Sequence, residues 1–254
     1  MAFETRIEKP HGVDPGKGNA LGWQKKAVAS GDYVMDVSGV SAVNHGGVDQ
    51  ITDLGTVADG TQMFTEVRGG SITEGTIAGE TALHLQTDGN QGRLRLDDAF
   101  DAAHQVKLGD LDHLSFDYFV ASSDRTDVIP VIRLTIDADG NLATTNDRVD
   151  LVFEWSYQGL GPAHTGSWQT ADLIGGNWVA WEHTYSPSHN YDNISDMTTL
   201  SDWADANGFT PVGGIHVDQN SVVLGWQIAV GSFNGTNDMY IDHLHVAGQT
   251  IQFA

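Results

Sequence analysis

Cysteine is absent from this chain of 254 residues, and lysine and arginine together supply only 12 side chains. Without cysteine there is no disulfide framework, no zinc–thiolate site and no thiol nucleophile. The shortage of cations against 34 acids leaves a formal charge of -22. A body so negative repels phosphates, which excludes nucleic acid and anionic lipid as partners. Long apolar runs are missing too. Stretches such as Val128–Ile132 and Val222–Leu224 fall far short of the roughly 20 residues of a spanning helix, so membrane insertion is not expected. Residues 1–20 hold no apolar core behind their first basic residues, so no secretory leader is expected as written. There is no G-x-x-x-x-G-K-[ST], no strand-linked G-x-G-x-x-G, no H-E-x-x-H and no G-x-S-x-G, which removes the nucleotide, zincin and hydrolase-elbow readings.

What is abundant is short carboxylate: 27 Asp to 7 Glu, against 5 Lys and 7 Arg. Dense aspartate with few lysines keeps a surface hydrated once salt screens its self-repulsion, the profile of a salt-adapted host. The charge is uneven. Residues 1–26 carry Arg6, Lys9, Lys17, Lys25 and Lys26 against Glu4, Glu8 and Asp14, a net of +2, so the other 228 residues carry -24. With Pro10, Pro15, Gly12, Gly16 and Gly18 and no periodic apolar pattern there, residues 1–29 read as an extended N-terminal arm. Its charge suits docking on the acidic body of a neighbouring copy, with Trp23, Lys25 and Lys26 as the expected subunit contacts; wrapping its own domain is the alternative.

Residues 30–254 read as one domain of short period-two strands separated by Gly, Asn and Asp turns. Leu114, Phe116, Tyr118 and Val120 recur at every second position. So do Val149, Leu151, Phe153, Trp155 and Tyr157, and the run Val222, Leu224, Trp226, Ile228 and Val230. About eleven strands are expected, with Trp155 and Trp226 in the core. One short helix is expected near residues 200–206, where Thr199 and Asp202 approximate a capping box and Asn207-Gly208 supplies the stop. Thirty glycines, many strands and almost no helix predict an all-β, antiparallel β-sandwich of jelly-roll type.

The pieces Leu114-Ser115-Phe116-Asp117-Tyr118, Gly166-Ser167-Trp168-Gln169-Thr170, Asn177-Trp178 and Tyr240-Ile241-Asp242-His243-Leu244 resemble bacterial carbohydrate-binding modules of jelly-roll fold, over roughly residues 80–250. The resemblance implies a two-sheet sandwich, often with a structural calcium and an aromatic sugar platform, and does not imply catalysis. Residues 1–75 have no counterpart in it.

Sugar binding needs flat apolar rings beside amides and carboxylates. Trp168, Tyr185, His189 and Tyr191 lie in or beside turn-rich stretches and are the glycan-binding candidates, with Asn190, Asp192 and Asn193 as polar partners. Asp137, Asp139 and Asn141 space three oxygen donors as a calcium loop does, making calcium the candidate cofactor, although the twelfth place holds Arg148 and not glutamate. For catalysis Glu154 and Glu182 are the conceivable carboxylate pair. His243 and His245 have metal-compatible spacing on one strand, with a packed or surface pair as the plainer reading.

The balance favours a non-enzymatic structural protein of an assembly from a salt-adapted host, of the virion decoration or turret type, with glycans, further copies of itself and capsid or cell-surface proteins as partners. Its place would be the virion surface or the extracellular space. The alternative is an exported carbohydrate-binding module or polysaccharide-degrading enzyme. The charge profile predicts a higher melting temperature at ~2 M than at ~0.05 M KCl, because the Debye length shrinks severalfold between them. Equal melts would remove the salt-adapted reading.

Overall fold

The computed structural model describes the backbone of residues 25–28, 32–35, 41–56, 62–89, 92–100, 102, 105–184, 192–231 and 235–253. Eighteen strands run in chain order: β1 Lys25–Val28, β2 Asp32–Met35, β3 Ser41–Asn44, β4 Gln50–Thr56, β5 Gln62–Arg68, β6 Gly70–Ile77, β7 Glu80–Asp88, β8 Arg93–Ala99 and β9 Val106–Lys107. They continue as β10 Leu114–Ser123, β11 Val131–Asp137, β12 Arg148–Phe153, β13 Gln169–Asp172, β14 Val179–Thr184, β15 Asp192–Thr199, β16 Val222–Val230, β17 Thr236–Val246 and β18 Gln249–Phe253. They form two nine-stranded sheets. The first follows the order β1-β2-β18-β17-β7-β6-β3, with β10 on β17 and β13 on β10; the second follows β15-β14-β12-β11-β16-β8-β5-β4, with β9 on β16. Among the described residues every strand pairing is antiparallel except β2 with β18. The expected antiparallel sandwich is therefore the architecture, with more and shorter strands than the period-two runs suggested. No helix among the described residues is long and apolar enough to cross a membrane.

The sheets meet through alternate residues, as the two-residue side-chain period of a strand requires. Leu114, Phe116, Tyr118 and Val120 of β10 and Ile132, Leu134 and Ile136 of β11 are buried in one common core. Helix α1, Leu200–Trp203, opens on Thr199, whose hydroxyl accepts the Asp202 amide at 3.3 Å. Helix α1 stops sooner than the expected residue 206, and Gly208 follows at φ +58°. Trp203 is fully buried and donates its indole N–H to the Ala180 carbonyl at 3.3 Å.

Two of the sequence patterns break phase. The run from Val149 ends as a strand at Phe153, and Trp155–Tyr157 forms a 3-10 turn. Trp155 is half-buried against the core and donates to the Gly161 carbonyl at 2.8 Å. In β16, a register shift opposite Thr135/Ile136 moves the core face, so Val223 and Trp226 point inward while Val222 and Leu224 do not. Such a bulge inserts one residue and flips the alternation beyond it.

Gly225 sits at this bulge, where a Cβ would lie 2.1 Å from the Asp98 carbonyl oxygen. Gly225→Ala should force β16 from β8 and lower stability by about 1–3 kcal/mol, as overpacking does. A thermal melt unchanged by the substitution would contradict that close approach.

Candidate functional site on the outer face of the second sheet

The face of the second sheet turned away from the core carries an unusual share of the charge. Seven of the 12 cations lie beyond residue 26, and five of those, Arg68, Arg93, Arg95, Arg133 and Arg148, occupy outward positions on β5, β8, β11 and β12. One row crosses six strands: Phe64, Asp97, Gln227, Arg133, Val152 and Trp181 are successive cross-strand partners. Beside it run Thr135, Asp150 and His183. Arg95, Asp97, Thr135, Asp150, Gln227 and His183 are all buried although they face outward.

Buried charge is stable only when paired, and here the pairs are explicit. Arg95 donates to Glu66 Oε2 at 3.2 Å and to Gln227 Oε1 at 2.8 Å. Arg93 donates to Glu66 and, at 2.7 Å, to Asp49. Thr135 donates to Asp150 at 2.9 Å, with Arg133 Nη1 3.7 Å from the other oxygen. Asp97 is the least satisfied member. Its Oδ1 accepts no hydrogen bond, and Arg95 Nη2 stands 3.6 Å away. Burial, helped by the nearby Glu66 and Asp150 charges and opposed by Arg95 and Arg133, pushes its carboxyl up to about 6.

Against this floor lies a cavity of about 200 Å³ lined by Phe64, Asp97, Gln105, Thr135, Leu142 and Gln227, with Arg148 beside them. Leu142 comes from the β11–β12 connection and is 45% exposed. Toward β14 the face turns apolar, where Val131, Val152, Trp181 and Ala229 pack together with Met197. A strongly perturbed carboxyl in a polar cavity marks a functional-site candidate.

The residues expected from the sequence are distributed differently. Trp168 lies across the sandwich, on the outer side of the first sheet, where its ring meets Phe119 edge-on at 5.7 Å. Phe119 in turn meets Tyr240 at 6.4 Å, and Tyr240 stacks on His84 at 4.4 Å. Tyr185, His189 and Tyr191 fall outside the described residues, as do Asn190 and Trp23. Lys25 and Lys26 belong to β1, an edge strand of the first sheet. Glu182 faces the core side of β14, accepts the Ile215 amide at 2.9 Å and is pushed by burial up to about 7. Glu154 lies instead toward Arg125, whose protonated form is favoured chiefly by the Asp127 hydrogen bond and only slightly by Glu154.

His243 and His245 make separate contacts. His243, at φ +47°, lies 3.1 Å from Asp242 and 3.4 Å from Asp117, whose hydrogen bonds hold it protonated up to about 10. His245 Nδ1 bonds the Thr250 hydroxyl at 2.8 Å. Asp137 and Asp139 are brought together, with Asp147 as a third carboxylate. Asn141 Oδ1 accepts the Ala143 amide, and its carbonyl accepts from Thr144, so it shapes the turn. Asp147 was missed because the expected loop placed its last ligand one residue later. Arg93, Arg95 and Asp97 were missed as a site, although charge at every second position of a strand was their signal.

No family model matches the chain, and no curated protein matches it. Among solved structures it is similar to a carbohydrate-binding module of family 28 described as specific for non-crystalline cellulose. That match has a TM-score of 0.34, 12% identity, and covers 69% of this chain and 79% of that one. It is also similar to the family 11 xylanase from Neocallimastix patriciarum, with a TM-score of 0.33, 15% identity, and 78% and 99% of the two chains covered. Likeness at this level transfers no ligand or activity.

The raised Asp97 carboxyl has a defined linkage sign. Its folded value of about 6 lies above the ordinary 3.8, so the protonated form's contribution is complete below pH ~3.8 and is lost as pH rises through ~6. Asp97→Asn should therefore flatten the fall in melting temperature between pH 4 and 7 relative to the parent chain. Parallel pH profiles would show that Asp97 titrates normally.

Proposed function

We propose that the protein is a non-enzymatic, glycan-binding β-sandwich whose ligand enters the cavity on the outer face of the second sheet. The observation that carries this reading is the convergence of Asp97, Thr135, Gln227 and Arg148 between Phe64 and Leu142. A saccharide presents hydroxyls that both donate and accept, and a C–H face that prefers apolar or aromatic surface. Gln227 offers both functions, Thr135, whose proton goes to Asp150, can accept, Arg148 only donates, and Asp97 donates while protonated. At about 200 Å³ the cavity is smaller than the ~300–1,000 Å³ of drug-sized sites, which suits one sugar unit of a longer chain.

Hydrolysis would require a second carboxyl group facing the scissile bond. Glu66 is tied to Arg93 and Arg95, Asp150 to Thr135 and Arg133. Asp98, also at the cavity wall, pairs across the strand with the core residue Trp226 and so faces inward. This favours binding over catalysis. Display on a virion or similar assembly is the finer version of the reading. The contrast between a +2 amino-terminal segment and a -24 body supports it, and an extracellular setting follows from it.

Calorimetric titration with a panel of soluble polysaccharides and their oligosaccharides should find a binder. Gln227→Ala and Arg148→Ala should each weaken it about tenfold or more, the loss of one buried or charged hydrogen bond. Trp168→Ala should leave affinity unchanged. Loss on Trp168→Ala with the cavity variants unaffected would move the site to the first sheet, and absence of any glycan ligand would remove the reading.

A further inference from the structure

Beyond Asp137, the chain turns back from β11 to β12 through residues 138–147, and the turn gathers three carboxylates. One oxygen each from Asp137, Asp139 and Asp147 lies within 4.8 Å of the others. On a surface this acidic such a cluster alone indicates little. Asp137 is the distinguishing member. Its side chain is 0% exposed, neither carboxylate oxygen accepts a hydrogen bond of full geometry although the Gly140 amide lies near, and Arg148 Nε stands 3.9 Å away, an ion pair without hydrogen-bonding contact. A carboxylate buried in that condition, with two further acids alongside, is strongly unfavourable as an anion unless a further cation completes it; otherwise it must take up a proton.

We propose that Asp137, Asp139 and Asp147 hold a hard divalent cation, calcium. All three donors are oxygens, the ligand type of calcium and magnesium. Calcium binds at about 2.3–2.6 Å, so oxygens on one ion can stand up to ~5 Å apart; magnesium demands a tighter, near-ideal octahedron. The turn already fixes the two outer ligands. Asp147 Oδ2 accepts the Asp139 amide at 3.0 Å, Thr144 donates to Asp147 Oδ1 at 3.2 Å, and Asp139 Oδ1 accepts the Asn141 amide at 2.7 Å. Each of these oxygens keeps a further lone pair for a metal. The same turn carries Leu142 and ends at Arg148, both of which line the cavity, so the ion would fix that wall. The site stands whether or not the cavity binds a glycan.

The test uses the full chain, stripped with chelator and titrated with calcium chloride in ~0.5 M KCl, which screens general attraction to the acidic surface. A single site is expected, with a raised melting temperature. Calcium at 100 times its Kd should shift the folding equilibrium about 100-fold, and magnesium should bind more weakly. Asp139→Asn, at an exposed position that leaves the core untouched, and Asp137→Asn should each weaken calcium at least tenfold. If Asp137→Asn does not fold, Asp139→Asn decides. No heat and no melting shift, affinity unchanged in the Asp139→Asn variant, or tighter binding of magnesium would each overturn the proposal.

Discussion

Charge placed in a low-dielectric interior must be neutralised on the spot, and the second sheet is arranged around that requirement. Five arginines and the carboxylates of Glu66, Asp97, Asp137 and Asp150 share its outer face. Removing one partner of such a pair leaves the other uncompensated, which costs far more than the pair contributes. The network is therefore an all-or-none feature of the sandwich. Two of its incompletely bonded carboxylates, Asp97 and Asp137, stand at the cavity and at the turn beside it.

The bulge between β11 and β16 determines where those imperfections fall. Before it, Arg133 and Gln227 face outward as partners. At its edge, Gly225 faces Thr135 and lies so close to β8 that a Cβ would meet the Asp98 carbonyl oxygen, and this glycine lines the cavity. Asp137 lies on the far side of the same shift, paired with Val222 and Arg148. One inserted residue thus connects a packing irregularity to both candidate sites.

Much of the fold was legible because period-two alternation and turn residues act locally. The Leu114–Val120 run and the Thr199 cap both depend on near neighbours. The bulge was not legible, since it depends on how β11 pairs with a strand some 90 residues away in sequence. Trp155 left its expected strand for a similar reason, taking an indole hydrogen bond to Gly161 that periodicity does not encode. At the site, the alternation of Arg93, Arg95 and Asp97 was visible, but ordinary solvated strands show the same pattern. Only burial separates the two, and burial is a property of the assembled sheet.

The molecule consequently holds two electrostatic regimes. Exposed aspartates repel one another through water, and salt weakens that repulsion within a Debye length. The Glu66–Arg95–Gln227 contacts and the Thr135–Asp150 bond are shielded from solvent, where screening by ions is slight. High salt therefore relieves the surface while leaving the paired face almost untouched. Recognition through short hydrogen bonds in the cavity, unlike attraction between opposite surface charges, would persist under the conditions that suit this exterior. A neutral, hydroxyl-rich ligand fits that combination better than a charged one, whose long-range attraction the same salt would remove.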